Sequence, residues 1–129
     1  MAYTILVVDD SSTTRSVIGK TLALSGLELG EVIFASNGQE ALDKLRDNWV
    51  DAILADINMP VMNGVEMIDR MAQDGLLKTI PVIVVSTEGS ATRMDALKAK
   101  GVKGYLRKPF SPEQLKKALL EVLERRRPK

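Results

Sequence analysis

The stretch Thr4-Ile5-Leu6-Val7-Val8-Asp9-Asp10 joins a short apolar run, rich in β-branched residues, to two consecutive carboxylates. Four more runs of the same kind follow along the chain, at residues 31–35, 52–55, 82–85 and 104–106. Strands that are apolar on both faces are typical of parallel sheets, because helices cover both sides of such a sheet. The sequence therefore predicts five buried parallel strands.

Helix signals stand between these runs. Ser111 opens a capping-box pattern ahead of an apolar stripe. Similar starts are predicted at Ser11 or Ser12, Asn37, Asn63 and Ser90, and Gly101 is placed as a helix terminator. The first helix is expected to carry an apolar stripe of Val17, Ile18 and Leu22. Alternation of strand and helix, taken five times, predicts an α/β fold with helices on both faces of one sheet.

Length and composition limit the class of protein. At 129 residues the chain fits one domain, expected to span residues 1–129 with residues 125–129 as a frayed basic tail. A hydrophobic share of 45% and a charged share of 27% are typical of a soluble globular protein and argue against membrane insertion. No basic residue precedes the first apolar run, so no secretory signal is predicted and the expected location is cytoplasmic.

The chain has no cysteine and no histidine. This excludes a disulfide framework, a thiolate nucleophile, a Ser-His-Asp triad and an imidazole zinc site. It also means that the chain carries no phosphohistidine of its own.

Charge is distributed unevenly, although the net charge is only +1. Residues 1–89 hold 6 basic and 13 acidic side chains, whereas residues 90–129 hold 12 basic and 4 acidic side chains. Lysines on amphipathic helices usually form a solvated face, which is the simplest interpretation. The asymmetry also allows an acidic site and a separate basic docking surface.

Polar residues stand where the predicted strands end. Asp9 and Asp10 follow the first strand, and Asp56, Ser86 and Lys108 follow the third, fourth and fifth. The carboxyl ends of parallel strands share one edge, where ligands bind in open α/β sheets. Taken alone, each of these residues also fits a helix cap, a turn or a solvated charge. Their conjunction favours one shared site.

Three carboxylates with one lysine leave a net charge of −2 at this edge. Unit charges about 4 Å apart interact by roughly 4 kcal/mol at an effective dielectric constant of 20, so the cluster needs a cation. Oxygen ligands without histidine or cysteine favour Mg²⁺ over softer metals, and so few carboxylates suit Mg²⁺ better than a calcium cage. With Mg²⁺ bound, a phosphoryl dianion could approach, and one carboxylate could accept it as an aspartyl phosphate.

The same residues carry a resemblance that covers essentially the whole chain. Residues 6–10 (LVVDD), 56–60 (DINMP), 63–64 (NG) and 104–110 (GYLRKPF) resemble receiver domains of two-component response regulators, most closely the single-domain chemotaxis regulators. The resemblance implies a flavodoxin-like (βα)5 three-layer sandwich with a parallel five-stranded sheet of order 2-1-3-4-5.

By this resemblance, Asp56 is the phosphoacceptor. Asp10, Asp56 and the backbone carbonyl of Asn58 would ligate Mg²⁺ directly, and Asp9 would act mainly through water. Lys108 would pair with a phosphoryl oxygen, and its peptide bond to the following proline is expected to be cis.

The resemblance also implies a switch. Ser86 would move to bind the phosphoryl group and let Tyr105 turn from exposed to buried, although Tyr105 also fits an ordinary half-buried strand aromatic. Asn58 and Glu88 resemble the chemotaxis pattern and would control how water reaches the acyl phosphate. Thr87 departs from the family, which usually has a smaller residue there, and its β-branched side chain could narrow access to the site.

The function implied is a stand-alone, phosphorylation-switched binding protein that is not an enzyme but assists its own phosphorylation and dephosphorylation. Its expected partners are a sensor histidine kinase as phosphodonor, a phosphatase, and an output protein such as the flagellar motor switch. The output protein would bind the face of the fourth helix, fifth strand and fifth helix, which carries Lys98, Lys100, Lys103, Lys116 and Lys117. Nucleic-acid binding and membrane insertion are not expected.

Three alternatives remain open from the sequence. One is an intermediate receiver of a phosphorelay. A second is a Mg²⁺-dependent phosphohydrolase, although haloacid-dehalogenase phosphatases carry a second Asp where Asn58 stands here. A third is a flavodoxin, because residues 11–14 (SSTT) superficially resemble a phosphate loop. Asp9 and Asp10 would repel a flavin phosphate there, and the aromatic share is only 4%.

Overall fold

Alternating strands and helices make up the structure, a computed structural model that describes residues 2–57, 59, 61–86 and 91–126. Their order is β1 (Tyr3–Val8), α1 (Ser12–Leu24), β2 (Leu29–Ala35), α2 (Gly38–Asp47), β3 (Ala52–Ala55), α3 (Gly64–Ala72), a 3₁₀ turn (Leu77–Thr79), β4 (Val82–Ser86), α4 (Ala91–Ala99), β5 (Gly104–Arg107) and α5 (Pro112–Arg126).

The strands of the described chain form one parallel sheet in the order β2-β1-β3-β4-β5. Neighbouring residues of β1 point to opposite sides, and both sides are buried. Ile5 and Val7 pack with the apolar faces of α1 and α5, while Leu6 and Val8 pack with those of α2, α3 and α4. The predicted α/β fold, its sheet order and its helix layers on both faces are confirmed.

Side-chain caps fix where several helices begin. Ser11 Oγ accepts from the N–H of Thr14 at 3.2 Å, and Asn37 Oδ1 accepts from the N–H of Glu40 at 2.8 Å. Complete capping boxes join Asn63 with Glu66 and Ser111 with Gln114. Each cap satisfies N–H groups that have no partner inside the helix. These predicted starts are confirmed, whereas Ser90 lies outside the described residues.

The first helix differs from the prediction at one position. Ile18 and Leu22 are buried, but Val17 is 56% exposed. Successive helical residues are about 100° apart, so only the stripe spaced by four residues faces the sheet. The expectation that Val17 belongs to the buried stripe was wrong.

Element ends also differ slightly from the sequence prediction. The second strand begins at Leu29, two residues earlier than predicted, and the 3₁₀ turn was not foreseen. The helix α5 continues through Arg126, two residues into the segment predicted to be a frayed tail. In the described ranges, no helix combines the length and the apolar character that crossing a bilayer requires.

The amino ends of β1 and β3 are tied together by Asp51. Its N–H donates to the main-chain oxygen of Thr4, and its Oδ2 accepts from the N–H of Thr4, both at 2.8 Å. Its other carboxylate oxygen accepts from Nε1 of Trp49, the single tryptophan, at 3.2 Å. This indole therefore lies at the edge of the sheet opposite the predicted site.

Val61, in the loop between β3 and α3, has an unusual backbone. Its φ is 66°, and its side chain is 82% exposed. A left-handed conformation costs an ordinary L-residue roughly 1–2 kcal/mol, and β-branched residues tolerate it least. With so little burial, no packing of the side chain offsets this cost.

Replacing Val61 with asparagine, which adopts positive φ more readily, is expected to raise the free energy of unfolding by about 1 kcal/mol. Urea unfolding followed by circular dichroism measures the change. Val61→Thr is the matched control, because threonine removes apolar surface but keeps the β-branch. Equal gains in both variants would contradict a backbone origin.

Candidate functional site

Main-chain hydrogen bonds carry the sheet one residue past its strands and thereby position the site. The N–H of Asp9 donates to Ala35 O at 3.0 Å, that of Asp56 to Val8 O at 2.9 Å, and that of Lys108 to Ser86 O at 2.9 Å. Each site residue is thus anchored to the end of the neighbouring strand. Their side chains leave the sheet at the same edge.

Three carboxylates meet at this edge. One oxygen from each of Asp9, Asp10 and Asp56 lies within 4.8 Å of the other two. Asp9 is 2% exposed, Asp56 is half-buried and Asp10 is exposed. The structure therefore brings together the acidic residues that the sequence predicts as a metal site. Asp56 joins the cluster although it lies 46 positions after Asp10 in the sequence.

Lys108 is the cation that faces these carboxylates. Its Nζ lies 3.1 Å from Asp9 Oδ2 and 3.9 Å from Asp56 Oδ2. The Lys108–Pro109 peptide bond is cis, as the resemblance implies. Because one ammonium cannot neutralise three carboxylates, the four side chains keep a formal charge of −2.

Asp9 is held more tightly than the other two acids. Its Oδ1 accepts from the N–H of Ser11 at 2.9 Å, while its Oδ2 faces Lys108. Its main-chain oxygen accepts from Nη1 of Arg15 at 2.6 Å. Asp9 therefore already has a donor on each carboxylate oxygen, which suits a supporting acid better than a direct metal ligand.

Arg15 was not singled out in the sequence analysis. A weak signal was present, because a basic residue in the first turns of a helix opposes the helix dipole, which favours acids there. The first turn of α1 contains no acidic residue. Only the fold shows that Arg15 reaches the main chain of Asp9.

Ser86 and Tyr105 lie on the two adjoining strands. Ser86 ends β4 and is 3% exposed. Tyr105, on β5, is paired with Val84 and packs half-buried against the core on the α2, α3 and α4 side. Asn58, Thr87 and Glu88, to which the resemblance assigns roles, lie outside the described residues.

Gly64, the first residue of α3, packs closely against the main chain of Asp56 and Ile57. The N–H of Gly64 donates to Ile57 O at 2.8 Å, and Asp56 Oδ1 accepts from the N–H of Ile57 at 2.7 Å. A Cβ at position 64 would overlap the main-chain oxygen of Asp56 and lie 3.0 Å from Ile57 Cα. Glycine at position 64 therefore lets α3 begin directly beside Asp56.

The donors present fit Mg²⁺. The cluster offers oxygen atoms alone, its formal charge is negative, and the exposed Asp10 leaves room for the water molecules that Mg²⁺ retains. The histidine and cysteine ligands that select zinc or copper are absent from the sequence.

Comparison with known proteins points in the same direction. Residues 5–120 match the response regulator receiver domain family. Chemotaxis protein CheY1 of Helicobacter pylori is 45% identical over 121 residues, which cover 92% of this chain and 95% of that protein. A chemotaxis protein CheY homolog of Campylobacter jejuni is 44% identical, with coverage of 92% and 91%.

Solved structures share the fold. The Vibrio cholerae chemotaxis protein CheY4 aligns with a TM-score of 0.85 and 38% identity, covering 95% of this chain and all of that one. A response regulator of Chloroflexus aurantiacus, described as putative, aligns with a TM-score of 0.86 and 31% identity, covering 96% and 99%.

Gly64→Ala is expected to lower the free energy of unfolding by about 2 kcal/mol, because the added methyl group meets backbone that cannot move aside as a side chain can. Gly75→Ala is the matched control, since a Cβ there would have no atom within 4 Å. Chemical denaturation of both variants measures the difference. Equal stability of the two would contradict the close approach at Asp56.

Proposed function

The chain belongs to the response regulator receiver domain family, as a CheY-like member, and we propose that it is a binding protein switched by phosphorylation of Asp56. A sensor histidine kinase supplies the phosphoryl group in a Mg²⁺-dependent reaction. The observation that carries this proposal is the cluster of Asp9, Asp10 and Asp56 facing Lys108.

The proposed reaction needs a carboxylate nucleophile and a means to neutralise the incoming anion. A carboxylate oxygen of Asp56 attacks phosphorus, the bond from phosphorus to the kinase histidine nitrogen breaks, and that nitrogen leaves with the electron pair. Asp10, Asp56 and, by the family resemblance, the Asn58 carbonyl would hold Mg²⁺, which would supply positive charge next to the transferring group. Lys108, 3.9 Å from Asp56 Oδ2, pairs with a phosphoryl oxygen.

We propose that Ser86 and Tyr105 transmit this event. The dianion on Asp56 attracts the Ser86 hydroxyl, and the movement of the β4 end makes room for Tyr105. The hydrogen bond from Lys108 N–H to Ser86 O supports this proposal, because it couples the ends of β4 and β5. Asn58, Thr87 and Glu88 then adjust the lifetime of the acyl phosphate.

The output surface lies beside Tyr105. A groove of about 330 Å³ is lined by residues that include Tyr105, Phe110 and Lys117. We propose that an acidic segment of an output protein, such as the flagellar motor switch, docks here after phosphorylation. The names of the relatives at 44–45% identity support a role in chemotaxis.

The lysines of this face are not equivalent. Lys100 forms an ion pair with Asp69 of α3 at 3.0 Å, so its charge is partly satisfied within the protein. Lys117 lines the groove that contains Tyr105. We therefore assign docking chiefly to Lys117.

We also propose that the chain is a single domain that acts in the cytoplasm. One receiver domain over residues 1–129 acts in the cytoplasm, without nucleic acid and without an independent enzymatic activity. It assists its own phosphorylation and its dephosphorylation, the latter together with a phosphatase. The shared sheet of all described strands supports a single folding unit.

Incubation with Mg²⁺ and acetyl phosphate is expected to add one phosphoryl group, detected by intact-mass spectrometry. Asp56→Asn removes the nucleophile and should abolish the added mass, as should removal of Mg²⁺ by EDTA. Asp43→Asn, on the exposed side of α2, is the matched control and should label normally. Equal labelling of Asp56→Asn would overturn the assignment of the phosphoacceptor.

Lys117→Glu is expected to weaken binding of the phosphorylated protein to purified motor switch protein about tenfold, equivalent to about 1.4 kcal/mol, and to reduce its salt dependence. Fluorescence anisotropy of the labelled partner gives the Kd. Lys20→Glu makes the same charge change on the exposed surface of α1 and should leave the Kd unchanged. An unchanged Kd in Lys117→Glu would remove the docking assignment.

A further inference from the structure

We propose that Arg15 is a positioning residue of the metal site, which sets the direction of Asp10 by holding the main chain at Asp9. This inference rests on the proposed function of the acidic cluster. Its basis is the hydrogen bond from Arg15 Nη1 to the main-chain oxygen of Asp9, at 2.6 Å.

The bonded oxygen belongs to the peptide group that joins Asp9 to Asp10. The N–H of Asp9 is already fixed by Ala35 O, and its carboxylate is fixed by Ser11 N–H and Lys108. With Arg15 on the carbonyl, each polar group of Asp9 has a donor or acceptor. These contacts fix the plane of the peptide group that joins Asp9 to Asp10, and this plane sets the direction in which Asp10 leaves the main chain.

Asp10 needs this support more than its neighbours do. It is the exposed member of the cluster, and its side chain has no hydrogen bond in the described part of the structure. Because no donor among the described residues holds the Asp10 carboxylate, its position near the oxygens of Asp9 and Asp56 depends on the direction of its own main chain. Arg15 acts at the nearest backbone position.

The place of Arg15 in the helix supports a functional reason for it. A positive charge near the amino end of α1 opposes the helix dipole, and the first turn has no acid to compensate. Helix stability alone therefore does not explain an arginine there. Local conflicts of this kind are expected at functional sites.

Electrostatics and positioning predict opposite effects on Mg²⁺ affinity. A guanidinium close to the cluster repels Mg²⁺, so loss of its charge alone would strengthen metal binding. Loss of the hydrogen bond would instead leave Asp10 less well directed and weaken metal binding. The sign of the change therefore separates the two roles.

Isothermal titration with Mg²⁺ alone tests the inference. Arg15→Met, which keeps an apolar stem but has no donor, is expected to raise the Mg²⁺ Kd about tenfold, the size typical for loss of a residue that orients a ligand. Arg15→Lys retains a charged donor for a single carbonyl and should recover most of the affinity. Amide NMR signals of Asp10 and Ser11 should shift in Arg15→Met.

Lys20→Met is the matched control, because it removes the same charge from an exposed position of the same helix. It should not raise the Kd. Urea unfolding in EDTA verifies that each variant is folded at the titration temperature. If Arg15→Met is unfolded under these conditions, Arg15→Lys serves as the test.

An unchanged or lower Mg²⁺ Kd in folded Arg15→Met would overturn the inference and leave the proposed function intact. If Arg15→Met does not fold, an Arg15→Lys protein that fails to bind Mg²⁺ more tightly than folded Arg15→Ala, which has no side-chain donor, would also overturn it. Absence of Mg²⁺ binding by the unaltered protein would overturn the proposed function, and this inference with it.

Discussion

Repulsion among three carboxylates is the constraint that the rest of the structure must satisfy. Their oxygens lie within 4.8 Å, and Lys108 supplies the compensating charge from the far end of the chain. Such a cluster forms only where the backbone is already fixed by other interactions, since the side chains themselves favour separation. The apolar sheet provides that fixation. It is buried on both faces and extends into the site through main-chain hydrogen bonds.

The three acids have different surroundings, which suit the different roles proposed for them. Asp9 is enclosed by donors, Asp56 stands between Lys108 and a main-chain N–H, and Asp10 faces solvent. In the function we propose, identical side chains would thus serve as a support, an acceptor for the phosphoryl group and a ligand with room for water. This division of roles follows from burial and donor placement rather than from residue type.

Much of the fold could be predicted from the sequence, because buried parallel strands and capped helices are local patterns. Asp56 and Lys108 could also be placed at one edge, since strand ends determine where their side chains emerge. Val17 was misplaced because a short apolar pair does not show which member faces the sheet. The role of Arg15 left only a weak signal, a basic residue near the start of a helix, because its partner is a main-chain oxygen that leaves no mark in the sequence.

The position of Trp49 has a practical consequence for spectroscopy. It lies beside Asp51 at the amino end of β3, and the four residues of that strand, roughly 13 Å in length, separate it from the acidic edge. Indole emission from this protein is therefore expected to respond little to events at the carboxylates. The phenol of Tyr105, on the strand beside the one that ends at Ser86, is the intrinsic chromophore better placed to test the proposed switch.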